Sequence, residues 1–271
     1  MQMSNTFDGT PGRLLTAMRA KNPLVQNITN FVAMNIAANV MLAAGASPAM
    51  VHTKEESGEF ARIATALTIN IGTLSPDFLA GMKEAARAAT EAGRPWVLDP
   101  VAHFATAYRR TAVAELLELK PAIIRGNASE IIALAGSRSS GHGVDSGDPT
   151  HAAEGAAIAL ARQNGAIVAV TGEVDFVTDG GRSARIMGGS PLMPRVTALG
   201  CSLTCVTGAF AATAPDKPFE ATIAALAMFA VAGEEAAAGA DGPGSFSPLF
   251  LDRLAALTGE TFDAKARIVA A

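Results

Sequence analysis

The chain has 271 residues, of which 49% are hydrophobic and 17% are charged, and this is enough to bury a large core in a single domain over residues 1–271. A formal net charge of −4 without any basic stretch argues against a nucleic-acid-binding protein. The sequence has no apolar run long enough to predict a membrane span. Its first residues lack the charged and apolar regions of a signal peptide.

Short apolar segments alternate with helix-like segments along the chain. Strands are predicted, in chain order, at 23–28, 48–51, 67–71, 96–98, 122–124, 166–170, 175–178 and 184–187. Helices are predicted at 10–20, 54–66, 75–93, 106–119 and 150–164. Two more helices are predicted to follow the caps Asn30 and Asn127 and to end at residues 44 and 135, and helices dominate from residue 200 to the end. Residues 136–149, rich in Gly, Ser and Asp, predict a mobile loop. Repeated βα units predict an α/β fold whose mainly parallel central sheet carries helices on both faces.

The chain contains two cysteines, Cys201 and Cys205, spaced by one helical turn. Adjacent turns of a helix rarely give the geometry of a disulfide. We therefore expect both thiols to be reduced and the protein to be cytoplasmic.

Small residues at 196–201 (VTALGC) lead into a predicted helix N-terminus. Free amide groups and the helix dipole form an anion site at such a position. There Cys201 would lie beside a transferring phosphoryl group, and the helix N-terminus would lower the pKa of its thiol and make it a proton acceptor. The alternative is a small cysteine packed at a helix start, and Cys205 is expected in the core.

Polar residues also follow the predicted central strands. At a strand end, Arg125 would meet a phosphate, and Asp99 would contact Mg²⁺ or a phosphate-bound water, unless it is a turn aspartate. Glu130 would lie near Mg²⁺ or its waters, or would pair with Asn127 in a capping box. The hydroxyl of Thr171 suits a nucleotide phosphate, and the alternative is an ordinary junction between strand and turn.

Three further positions predict a small pocket of mixed polarity at the first strands. Asn30 follows the first predicted strand, and Gly72 follows the third. Met50 ends the second, where packing in the core is the alternative. In a mainly parallel sheet, ligands bind beyond the carboxyl ends of the strands, so one site would collect all these residues.

The chain resembles the hydroxyethylthiazole kinases over residues 23–257. Eight collinear stretches carry the resemblance: QNITNF (26–31), GASPAM (45–50), NIGTLS (70–75), LDPV (98–101), IRGNASEI (124–131), VTGEV (170–174), VTALGC (196–201) and GPGSF (242–246). The resemblance implies a ribokinase-like fold and phosphorylation of 4-methyl-5-(2-hydroxyethyl)thiazole with ATP and Mg²⁺ in thiamine biosynthesis or salvage. It also implies a homotrimer whose thiazole sites lie at subunit interfaces.

The same resemblance assigns roles to individual residues. It implies that Cys201 is the catalytic residue, at the position where related sugar kinases have an aspartate base. It implies substrate contacts by Met50 and Ala198, ATP contacts by Arg125 and Thr171, and a position near Mg²⁺ for Asp99 and Glu130. Asn30 and Gly72 are expected to bind the substrate because they line the predicted pocket at the first strands. Many family members have glycine in place of Ala198, and glycine adopts positive φ more readily than alanine. A backbone contact to the substrate is therefore expected to survive the change if φ is negative and to fail if φ is positive. The competing interpretations are a kinase for another small alcohol, such as hydroxymethylpyrimidine or a sugar, and a nucleotide-binding sensor without catalysis.

Overall fold

The computed structural model describes residues 10–136 and 149–271, and within them nine strands form one sheet. The strands are β1 (Leu24–Ile28), β2 (Ser47–Ala49), β3 (Ala66–Asn70), β4 (Trp96–Asp99), β5 (Ile123–Asn127), β6 (Ile167–Thr171), β7 (Val174–Thr178), β8 (Ser183–Met187) and β9 (Arg267–Ala270). Their order is β2-β1-β3-β4-β5-β6-β7-β8-β9. Pairs from β2 to β6 are parallel, whereas β7, β8 and β9 add to the edge in antiparallel pairs. The predicted α/β fold with a mainly parallel sheet is confirmed.

Helices cover both faces of the sheet. They are α1 (Thr10–Lys21), α2 (Met34–Ala44), α3 (Lys54–Ile63), α4 (Pro76–Glu91), α5 (Ala107–Leu117), α6 (Ala128–Gly136), α7 (Pro149–Asn164), α8 (Leu199–Thr213), α9 (Pro218–Ala237), α10 (Pro243–Ala256) and α11 (Gly259–Lys265). One buried cluster joins α1, α2, α8, α9 and α10 to the sheet, and a second cluster joins α3 to α7 to the opposite face. None of the helices within the described ranges is both long and apolar enough for a membrane crossing.

Successive side chains of β3 point to opposite faces of the sheet, so its apolar and polar residues contact different helices. Leu67 and Ile69 lie in the cluster that includes α4. The intervening Thr68 points to α8, where its hydroxyl lies 3.7 Å from Cys205 Sγ while it donates to Asn27 Oδ1 at 2.8 Å. A Cβ added at Gly208 of α8 would lie 2.5 Å from Thr68 Cγ2, so only glycine allows this close approach of helix and strand. Polar strand residues therefore lie directly beneath α8.

Several predicted boundaries differ from the structure. Helix α2 begins at Met34, behind Ala33, rather than directly behind Asn30. Helix α3 ends at Ile63 rather than at residue 66, because the amide and hydroxyl of Thr65 both donate to the Leu24 carbonyl at 2.8 Å and draw this backbone to β1. Helices were expected up to the last residue, but β9 forms there and pairs with β8. The predicted mobile loop lies outside the described residues over 137–148, while Gly136 and Pro149 belong to α6 and α7.

Candidate active site

The carboxyl ends of the parallel strands meet the N-terminus of α8. Strand order reverses between β1 and β3, since β2 lies on the other side of β1. In doubly wound sheets, ligands bind at such a switch point, outside the carboxyl ends of the strands. The first turn of α8 points its free amide groups toward the same edge. The topology thus selects this edge as the place for a site.

A buried ion pair joins β4 to β5. Asp99 is 1% exposed, and its Oδ2 accepts from Arg125 Nη1 at 3.3 Å, from Asn70 Nδ2 at 2.7 Å and from Thr204 Oγ1 at 2.8 Å. Burial raises the pKa of Asp99, an effect that the positive charge of Arg125 opposes. Asp99 Oδ1 is buried and has no hydrogen-bond partner among the described residues, so this carboxylate retains a free oxygen inside the site.

Arg125 connects this pair to β6 and to α8. Its Nη2 donates to Thr171 Oγ1 at 2.7 Å. A Cβ added at Gly200 would lie 3.1 Å from Arg125 Nη2, so glycine in the first turn of α8 lets the guanidinium lie against the helix N-terminus. The two predicted ATP-binding residues, Arg125 and Thr171, are therefore in direct contact.

On the other side of Asp99, two asparagines lead to the thiol of Cys201. Asn30 Nδ2 donates to Asn70 Oδ1 at 2.8 Å and to Cys201 Sγ at 3.3 Å. The amide of Gly72 also donates to Asn70 Oδ1, at 3.0 Å. We call Asn30, Asn70 and Cys201 the amide flank of the site, and Asp99, Arg125 and Thr171 its charged flank.

The two cysteines of α8 have different surroundings. Cys201 is half-buried in the amide flank, whereas Cys205 is buried one turn deeper, as predicted. Burial raises the pKa of the Cys201 thiol, the nearby negative charge of Asp99 adds to this, and the hydrogen bond from Asn30 opposes it. Burial raises the pKa of Cys205 to about 12. The expectation that the helix N-terminus lowers the pKa of Cys201 is therefore wrong, because desolvation and a like charge dominate.

Glu130 forms the capping box that its spacing from Asn127 allows. Its Oε2 accepts from the Asn127 amide at 2.9 Å, and Asn127 Oδ1 accepts from the Glu130 amide at 2.9 Å. The second carboxylate oxygen, Oε1, accepts from the Ala102 amide at 2.9 Å and so fixes the turn after β4. Glu130 is buried, and its negative charge helps to raise the pKa of Asp99.

Ala198 precedes α8 with φ of 63°, a left-handed conformation that glycine adopts more easily than alanine. By the criterion derived from the sequence, this conformation counts against a substrate contact by the Ala198 backbone. Met50 is half-buried at the end of the edge strand β2, where it packs against the core cluster beneath α8. The described contacts do not join either residue to the two flanks.

Three residues of the network were not predicted from the sequence. Asn70 bridges the two flanks, and Thr204 donates to Asp99 from the second turn of α8. Asp175 accepts from the Gly172 amide at 2.9 Å, and burial raises its pKa to about 6 against the opposing effects of that amide and of Arg125. The available signal for Asn70 was an amide side chain at the carboxyl end of a buried strand.

A family model with the description "Hydroxyethylthiazole kinase family" matches residues 15–260. The chain belongs to this family. It is 73% identical over 262 residues to a protein named hydroxyethylthiazole kinase from Rhizobium johnstonii, covering 97% of this chain and 98% of the relative. A hydroxyethylthiazole kinase from Cereibacter sphaeroides is 66% identical over 260 residues, with 96% and 98% covered. The family predicted from the eight motifs is thus confirmed.

Solved structures give the same result. The hydroxyethylthiazole kinase protein of Pyrococcus horikoshii OT3 superposes with a TM-score of 0.90 at 39% identity, covering 96% of this chain and 98% of that one. A ribokinase-like superfamily protein of Enterococcus faecalis V583 superposes with a TM-score of 0.62 at 12% identity, covering 87% and 88%. At 12% identity, the similarity to the Enterococcus faecalis structure concerns the fold alone. It confirms the predicted ribokinase-like fold of this hydroxyethylthiazole kinase family member.

Proposed function

We propose that the protein is a hydroxyethylthiazole kinase, which transfers the γ-phosphoryl group of ATP to the alcohol of 4-methyl-5-(2-hydroxyethyl)thiazole in thiamine biosynthesis. The observation that carries this proposal is the thiol of Cys201 in the first turn of α8, beside a buried pair of Asp99 and Arg125 that are 3.3 Å apart. Phosphoryl transfer depends mainly on positioning and on charge stabilisation. The Cys201 thiol would help to position the alcohol, and the buried charged pair would help to stabilise charge. Membership of the hydroxyethylthiazole kinase family supports the choice of substrate.

The amide flank is proposed to hold the alcohol. Asn30 is already hydrogen-bonded to Cys201 Sγ and lies against Gly72, where an added Cβ would be 2.6 Å from Asn30 Nδ2. Because the pKa of the Cys201 thiol is raised, the thiol stays protonated near neutral pH and orients the hydroxyl group rather than removing its proton. Met50 is proposed to contact the thiazole ring from a neighbouring segment, whereas the φ of 63° at Ala198 argues against a contact by the backbone of that residue.

The charged flank is proposed to hold the phosphates of ATP. Arg125 presents a buried guanidinium beside the Thr171 hydroxyl, and both groups donate well to phosphate oxygens. The free amide groups of Leu199, Gly200 and Cys201 at the start of α8 would stabilise the charge that develops on the transferring group. These donors belong to rigid elements, so little reorganisation is needed during the reaction.

Mg²⁺ is proposed to bind at Asp99, with Glu130 in its surroundings. The free Oδ1 of Asp99 suits the ion, because Mg²⁺ takes one or two carboxylates together with phosphate oxygens and water. Both oxygens of Glu130 already accept backbone amides, which suits a contact through water. When bound, Mg²⁺ neutralises charge on the phosphates of ATP.

The proposed catalytic unit is the single domain of residues 1–271, assembled as a cytoplasmic homotrimer. Phe31 and Val32 follow Asn30 directly and are 65% and 61% exposed, so they offer an apolar surface beside the site that a second subunit would cover. Two free thiols, Cys201 and Cys205, suit a reducing compartment.

The decisive experiment measures ADP formation from ATP and Mg²⁺ with hydroxyethylthiazole, hydroxymethylpyrimidine, pyridoxal or ribose as acceptor. We expect turnover with the thiazole alcohol and identify thiazole phosphate as the product by mass spectrometry. Turnover with one of the other alcohols but not with the thiazole alcohol would contradict the assigned substrate, although the protein would still be a kinase. Ala198 would then be the first residue to test. Tight ATP binding without turnover of any acceptor would favour a nucleotide sensor instead.

A further inference from the structure

Arg109 in the first turn of α5 connects the turns that follow two strands of the site. Its Nη1 donates to the carbonyls of Ile71 and Val101, both at 2.9 Å, and its Nη2 donates to the Gly72 carbonyl at 2.6 Å. The Thr106 hydroxyl caps α5 by accepting from the Arg109 amide at 3.2 Å, which fixes the origin of the side chain. One guanidinium therefore holds three backbone carbonyls from two separate turns.

The three carbonyls lie beside different flanks of the site. Ile71 and Gly72 follow β3 and adjoin the amide flank, because the Gly72 amide donates to Asn70 Oδ1 at 3.0 Å. Val101 lies two residues after Asp99, and the next amide, that of Ala102, donates to Glu130 at 2.9 Å. The pairing of β3 with β4 ends where the Ile71 amide donates to the Asp99 carbonyl at 3.4 Å. Past this point Arg109 joins the two turns, so its loss would let Gly72 and Val101 move relative to each other.

The amide flank has little tolerance for such a movement. Gly72 is so close to Asn30 that an added Cβ would lie 2.6 Å from Asn30 Nδ2. The same nitrogen donates to Cys201 Sγ at 3.3 Å. A displaced turn after β3 would therefore shift the asparagine that orients the thiol. Only a planar guanidinium with several fixed N–H donors spans the three carbonyls, whereas the ammonium of a lysine is a compact point charge.

We propose that Arg109 is a positioning residue, which sets the distance between the acceptor alcohol in the amide flank and the phosphates in the charged flank. This inference rests on the proposed kinase function. Misplacing reactants by about 1 Å can cost about 10²-fold in rate. An acceptor that is misplaced also leaves the γ-phosphoryl group open to water, so loss of Arg109 should uncouple ATP consumption from phosphorylation of the alcohol.

The test compares wild type, Arg109→Ala and Arg109→Lys, and measures ADP and thiazole phosphate in the same reaction. We expect wild type to form equal amounts of the two products. Arg109→Ala should form thiazole phosphate about 10²-fold more slowly and should form an excess of ADP. Millimolar guanidinium ion, added in solution, should reduce that excess, and Arg109→Lys should lie between the two. A loss of folded protein alone would lower both products equally and leave their ratio unchanged.

The matched control is Arg110→Ala, which removes the neighbouring arginine of the same helix. Arg110 is exposed and donates to one carbonyl, that of Phe104, at 2.8 Å, so its loss should leave the product ratio unchanged. An unchanged ratio in both Arg109 variants, or an equal effect of Arg110→Ala, would overturn the positioning role. If Arg109→Ala does not fold, the ratio for Arg109→Lys decides alone. A wild-type protein that does not phosphorylate the thiazole alcohol would instead overturn the proposed function, and this inference with it.

Discussion

The two flanks of the site use opposite kinds of chemistry within one row of strands. The amide flank at β1 and β3 consists of neutral groups, the side chains of Asn30, Asn70 and Cys201. The charged flank at β4, β5 and β6 contains a buried carboxylate and guanidinium. Neutral hydrogen-bonding groups suit an uncharged alcohol, and fixed charges suit phosphates. In the proposed mechanism the sheet therefore separates recognition of the two substrates by strand, and substitutions should affect one substrate at a time.

The largest effect is expected from Arg125→Ala in the charged flank. Loss of a donor to phosphate oxygens should raise KM for ATP and lower kcat/KM by about 10²–10³-fold, while KM for the alcohol changes little. Steady-state kinetics with each substrate varied in turn measures the two effects separately. Arg125→Lys keeps the charge but loses the planar guanidinium whose two Nη atoms donate to Asp99 and to Thr171, so it should be intermediate. Unchanged ATP kinetics would refute the assignment.

In the amide flank, Cys201→Ala should lower kcat by about 10²-fold and leave ATP binding close to wild type, because in the proposed mechanism the thiol orients only the alcohol and a misplaced reactant costs about 10²-fold in rate. Calorimetric titration with ATP and steady-state kinetics check the two parts. Cys205→Ala is the matched control, since this second thiol is buried in the core one turn away. It should lower Tm and leave kcat largely intact. Unchanged kcat in Cys201→Ala would remove the thiol from the proposed mechanism.

A smaller effect, on stability, is expected at the edge of the charged flank from Asp175→Asn. The folded-state pKa of Asp175 is about 6, above the unfolded value of about 3.9. Between these values the native state keeps a proton that the unfolded state has released, so this carboxyl lowers the free energy of unfolding as pH rises from about 4 to about 6. Replacement by asparagine removes this pH-dependent loss of stability, and the side-chain oxygen of asparagine can still accept a hydrogen bond from the Gly172 amide.

Denaturant unfolding of wild type and Asp175→Asn at several pH values tests this expectation. The stability advantage of the variant should grow between about pH 4 and pH 6 and stay constant above that interval. An advantage that is independent of pH would show that Asp175 ionises in the same way in the folded and unfolded states.

Much of the site could be predicted because the carboxyl ends of parallel strands lie at one edge. Polar residues at those ends, such as Asp99, Arg125 and Thr171, were predicted one strand at a time, and the register of the sheet brings them together. Their proposed roles remain predictions. The capping box of Glu130 was also visible, because its spacing from Asn127 is local in the chain.

The remaining features depend on contacts between segments distant in the chain. Asn70 was not singled out, because its bridging role requires the pairing of β3 with β4. Arg109 lies on a helix, and its target carbonyls are up to 38 residues away in the chain. The pKa of Cys201 was predicted in the wrong direction, because the sequence indicates a helix N-terminus but not the burial that outweighs it. The short strand β9 depends on pairing with β8 rather than on a local signal.

The orientation of Asn70 has a consequence for the movement of protons. Its Nδ2 donates to Asp99, so its Oδ1 can only accept, and it does so from Asn30, which in turn donates to Cys201. Every hydrogen bond in this chain is donated by an amide nitrogen, and side-chain amides do not exchange protons with their partners at neutral pH. The two asparagines therefore relay no proton between the thiol and the carboxylate, so Asp99 affects Cys201 through the electric field of its charge, which raises the pKa of the thiol.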